Sequence, residues 1–146
     1  MKTSLSLITL SLVVIAAVAA EKPVPGPKGG KMLDAHMEFF VENDRSVVLA
    51  FYDADLKPVA VGAQSAVIWA DAKSGRVKLA LEKKNDALVS TQPLPEGDGY
   101  NVMVQLKSTP DAKAQNFKIA FDDEVCAKCQ RAEYACICAE EHGHKH

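Results

Sequence analysis

From His36 to Phe121 the chain is divided into short runs rich in β-branched and aromatic residues, with turn-forming residues between them at intervals of about ten. That rhythm leaves little room for helices and points to an antiparallel all-β domain. Strands are expected at His36–Glu42, Ser46–Tyr52, Val59–Val61, Gln64–Ala70, Arg76–Leu81, Leu88–Thr91, Tyr100–Lys107 and Asn116–Phe121. Each break has a mechanism. Asn43-Asp44, Asp53-Ala54-Asp55 and Lys84-Asn85-Asp86 offer Asx turns, Lys73-Ser74-Gly75 ends on a residue free to take positive φ, and Pro93 to Gly99 and Thr109-Pro110-Asp111 carry prolines of fixed φ. Within the runs, Val77, Leu79 and Leu81 point one way, and Val102, Val104 and Leu106 oppose Met103, Gln105 and Lys107, so each strand has one buried and one wet face. Seven or eight such strands fit an immunoglobulin-like antiparallel β-sandwich better than a closed barrel. Trp69, the single tryptophan, lies mid-strand and is expected to pin the core between the sheets. The acidic residues of this body fall at turns or on wet faces and are expected to be solvated.

The flanks differ in composition. Lys2, the apolar run Leu5 to Val18 and the small residues Ala17, Ala19 and Ala20 have the order of a secretory signal peptide over residues 1–20, cleaved before Glu21. Cleavage leaves 126 residues, one domain's worth, with no membrane anchor and a periplasmic or secreted location. Residues 21–35 open with the Pro/Gly-rich EKPVPGPKGGK, which cannot sustain a helix and reads as an extended arm; residues 36–122 are the β domain and 123–146 a tail. A hydrophobic fraction of 48% with 25% charged residues excludes wholesale disorder and a polytopic membrane protein. Seventeen basic against 19 acidic side chains, without a basic stripe, exclude nucleic acid as the natural partner. No paired-carboxylate pocket, Gly-x-Ser-x-Gly elbow or phosphate-cradling glycine loop before a helix is legible, so no enzymatic activity is expected.

All four cysteines and three of the four histidines fall between residues 126 and 146. Cys126, Cys129, Cys136 and Cys138 form C-x2-C-x6-C-x-C, two close pairs able to complete a tetrahedral set for a soft or borderline ion, Zn(II) or Cu(I). On a continuous helix Cys126, Cys129 and Cys136 share a broad face while Cys138 points away, so ligation by all four requires the chain to leave the helix before Cys138. Two structural disulfides between the pairs are the competing reading in an oxidising compartment, and thiol exchange a weaker one, because the expected βαβ context is missing. His142, His144 and His146 alternate and share a side in an extended chain, which makes them candidate secondary metal ligands. His36, near Met32 and Met37, reads as a surface residue beside packing residues rather than a second soft site. The tail offers only Tyr134 and Ile137 as large apolar groups, so cutting after Asp123 is expected to leave the body folded.

Gly26-Pro27-Lys28-Gly29-Gly30-Lys31-Met32-Leu33, followed by Glu38-Phe39-Phe40-Val41 and Leu56-Lys57-Pro58-Val59, resembles the G-P-x-G-G segment and first strands of small exported domains. Such segments also occur near the N-terminus of periplasmic adaptor subunits of heavy-metal efflux systems, and the layout of leader plus short β domain is similar to periplasmic copper-resistance proteins. The resemblance implies heavy-metal or copper handling. Together these readings lead to an extracytoplasmic metal-binding protein that captures or delivers copper or zinc, its partners a metal ion and an exported metal-transport or receptor protein. The alternative is a disulfide-stapled structural or protein-interaction module.

Overall fold

The computed structural model describes residues 23–138. The expected leader over residues 1–20 lies outside them. Nine strands run in the order β1 Lys31–Met32, β2 Met37–Val41, β3 Val47–Tyr52, β4 Pro58–Val59, β5 Ser65–Ala72, β6 Gly75–Lys84, β7 Ala87–Ser90, β8 Tyr100–Lys107 and β9 Gln115–Phe121. They join antiparallel in one path, β1-β2-β3-β7-β6-β5-β8-β9, with β4 beside the end of β3. The long β6 carries the sheet round: Gly75 to Ala80 pair with β5, and Leu81 to Lys84 pair with β7. The result is an all-β sheet curled into a half-barrel. An immunoglobulin-like division into two facing sheets is a finer statement than this strand path carries.

Alternation decides which side chains fill the concave interior. Val47, Leu49 and Phe51 from β3, Ile68 and Ala70 from β5, Leu79 from β6, Val102, Val104 and Leu106 from β8, and Ile119 and Phe121 from β9 are all buried in one cluster, with Leu94 added from the Pro93 to Gly99 loop. Trp69 differs from expectation. It sits one residue after Ile68, so the period of two turns it to the outer face, where it is half-buried. There its Nε1 donates to Gln105 Oε1 at 3.1 Å, and the Arg76 guanidinium and Lys78 ammonium each lie 5.4 Å from its ring.

Two further departures begin in the arm. Lys31 and Met32 pair with Phe39 and Glu38, so the Pro/Gly segment enters the sheet as β1. Beside it Glu38 is fully buried rather than solvated, its carboxylate accepting the Lys28 and Gly30 N–H groups at 3.0 and 2.7 Å. A side chain at Gly26 would overlap that carboxylate, which explains why the loop is built on glycine. Met37 is buried in the core and His36 is exposed, so the two do not form a soft site.

The tail continues the core. After β9 a short 3-10 helix, Glu133–Ala135, places Tyr134 and Ala135 in the same buried cluster as the strands. The Tyr134 ring stacks on Phe121 at 5.5 Å and meets Phe39 edge-on at 5.6 Å. Among the described residues no helix is long and apolar enough to cross a membrane.

Candidate metal centre

Each cysteine pair sits on its own short piece of backbone. The first lies on a tight turn in which Gln130 N–H donates to the Cys126 carbonyl at 2.9 Å and Cys126 N–H donates to the Arg131 carbonyl at 2.7 Å. Gln130 closes that turn with φ 58°, a left-handed conformation that brings Val125 and Ala132 together as an isolated bridge. The second pair follows the 3-10 helix, and Cys136 is already extended, with φ −61° and ψ 133°. The chain thus leaves the helix before Cys138, the condition that ligation by all four sulfurs requires.

Cys126 is buried and Cys129, Cys136 and Cys138 are half-buried, with all four Sγ atoms within 4.8 Å of one another. Three separations are 3.5 Å for Cys126–Cys136, 3.7 Å for Cys129–Cys136 and 3.9 Å for Cys126–Cys138. These lengths correct the expected disulfide bonds. A disulfide needs its sulfurs about 2.05 Å apart, and even the 3.5 Å pair is far beyond that, so the four cysteines are free thiols. The same lengths match another geometry. Metal–sulfur bonds of about 2.3 Å arranged tetrahedrally set the sulfurs about 3.8 Å apart. The cluster is geometrically competent to coordinate a metal ion.

Its electrostatics are uneven. The N–H groups of Ile137 and Arg131 donate to the Cys129 sulfur and hold its pKa down to about 6. At Cys136 the N–H of Cys138 pulls the same way, but burial and the neighbouring sulfurs outweigh it and raise the pKa. Burial, followed by the three surrounding thiols, pushes Cys138 up to about 12. The first negative charge therefore belongs on Cys129, while Cys136 and Cys138 resist ionisation until a cation offsets the repulsion.

His142, His144 and His146 lie outside the described residues. A second close group, Asp98, Asp122 and Asp123, also has its carboxylates within 4.8 Å of one another. Arg45 supplies its cation, with Nη1 donating to Asp123 Oδ2 at 2.5 Å, so this group belongs to the loop packing around Arg45. Sequence reasoning singled out the four cysteines but missed Tyr134 as their neighbour in the core. Its place between two cysteine pairs, as the one aromatic residue of the tail, was the available signal. No protein-family model, curated protein or solved structure matches the chain.

Proposed function

We propose that this protein binds one Zn(II) ion through Cys126, Cys129, Cys136 and Cys138 and that it handles metal outside the cytoplasm without catalysing a reaction. The observation that carries this reading is that all four Sγ atoms lie within 4.8 Å of one another, three of their separations being 3.5–3.9 Å, close to the edge of a tetrathiolate around a tetrahedral ion. A tetrahedral set of four sulfurs favours zinc. Four protein ligands also leave no open position for a substrate or an activated water, which fits storage, structural or delivery roles rather than hydrolysis. The order of charge, apolar run and small residues in Met1–Ala20 supports an exported setting, and the histidines at 142, 144 and 146 are suited to secondary capture. The resemblance of Gly26–Leu33 to heavy-metal efflux adaptors supports an exported metal-transport protein as partner.

Native mass spectrometry of the reduced protein, with zinc or Cu(I) supplied in turn, tests this. One zinc per chain is expected, lost when Cys126 and Cys129 are both replaced by serine and largely kept when the three histidines are replaced. Binding of neither ion more tightly than in the double-serine variant overturns the reading.

A further inference from the structure

We propose that Tyr134 is the positioning residue of the metal centre, so that ion binding and closure of the gap between β2 and β9 are one coupled event. The inference rests on the reading of the four cysteines as ligands and adds what controls their assembly. The two cysteine pairs are carried by separate backbone pieces, and Tyr134 lies between them, five residues after Cys129 and two before Cys136. Its contacts reach both sides of the seam. On one side, Glu42 N–H donates to the Ser46 carbonyl, which turns the Val41 N–H away from β3. Strand β1 ends its pairing at Phe39 and Glu38, so the Val41 N–H finds no strand partner and donates instead to the Tyr134 hydroxyl at 3.1 Å. On the other side, Tyr134 N–H donates to the Asp122 carbonyl at 2.9 Å, just past β9, and the ring stacks on Phe121. Glu133 N–H adds a bond to the Glu124 carbonyl at 2.8 Å.

These contacts fix where the chain emerges at Cys136. Seating the ring brings Cys136 to 3.5 Å from Cys126 and 3.7 Å from Cys129; without it the two pairs hang on a flexible connection and each offers half a coordination shell. An ion that needs all four sulfurs binds the seated form better, so by linkage it stabilises the seated form by the same factor.

The test uses the full chain, reduced, with zinc affinity measured by competition against a chromophoric chelator and amide exchange of Val41 followed by NMR. In the wild type, zinc is expected to slow Val41 exchange. Tyr134→Ala is expected to bind one zinc about 10- to 100-fold more weakly, with Val41 exchange no longer responding to the ion. Tyr134→Phe keeps the rings packed and loses the acceptor, so it should recover most of the affinity, within about fivefold of wild type, while leaving Val41 unprotected. If the alanine protein fails to fold, the response of Val41 exchange to zinc in the wild type decides the matter. A merely structural tyrosine would lower the melting temperature and leave the zinc response at Val41 intact. Wild-type zinc affinity in both variants, or Val41 exchange in the wild type that ignores zinc, overturns the coupling while the metal reading stands. Absence of zinc binding by the wild type overturns both.

Discussion

The Tyr52 hydroxyl donates to Glu38 Oε2 at 2.6 Å, beneath the loop whose Lys28 and Gly30 N–H groups bond the same carboxylate. A buried anion thus joins β2, β3 and the glycine-rich arm, and every donor around it depends on it. Glu38→Ala strands three donors and is expected to cost about 3 kcal/mol, against about 1 kcal/mol for Tyr52→Phe, which removes one donor from a carboxylate that keeps two. Urea unfolding gives both values. Equal losses in the two variants would show that the carboxylate does not organise the loop.

Tyr52, Tyr100 and Tyr134 are all the tyrosines of the chain, and each has its pKa raised, in every case chiefly by burial. A folded-state pKa above the ordinary value near 10 means that folding favours the neutral phenol. That stability is complete below about pH 10 and is lost as pH rises through the folded values. Tyrosinate absorbance is therefore expected to appear only together with loss of the β-sheet circular dichroism signal. A tyrosine titrating near pH 10 in protein that is still folded contradicts this.

Truncation after Asp123 removes Tyr134 and Ala135 from the core and uncovers Phe39 and Phe121. The loss of one buried aromatic residue sets the scale at about 3–5 kcal/mol. The body is expected to unfold at a correspondingly lower urea concentration, and an unchanged midpoint would restore the picture of a separable tail.

Trp69 gives a contrast within one strand. Ile68→Ala empties the interior and should cost about 2–5 kcal/mol, whereas Trp69→Ala on the outer face should cost less despite the larger side chain. With Arg76 and Lys78 beside the ring, its fluorescence is expected to be quenched more by iodide than by caesium ions at equal concentration. The reverse order would mean that the two cations do not flank the ring.

Much of this was legible because it is local. Alternation at Val102, Val104 and Leu106 and the turn residues between runs mark strand positions and faces, and the spacing of Cys126, Cys129, Cys136 and Cys138 marks the four thiols that the structure brings together. What escaped depends on partners distant in sequence. The pairing of β5 with β8, from Ser65 against Lys107 to Asp71 against Asn101, decides how the sheet curls, and no turn between them announces it. Glu38 looks like a wet-face residue until the arm folds over it. Trp69 differs in being legible locally: it follows Ile68 by one residue, and that parity, against the expectation that its size suggests, assigns it to the outside.

Arg45 reaches across three connections. Its backbone carbonyl accepts the Leu94 N–H at 2.9 Å, and its guanidinium donates to the carbonyls of Pro95 and Gly97 at 2.7 and 2.6 Å as well as to Asp123. By composition, Pro93 to Gly99 is the segment a protease of broad specificity would be expected to nick first. Held at its apex by one arginine and at its base by the buried Leu94, it cannot extend into a cleavage cleft without dismantling that corner of the protein. The first cut in the body should instead fall in an exposed stretch without such a clamp, such as Ser108 to Asp111. A single arginine thereby decides which fragments a partly degraded population would contain.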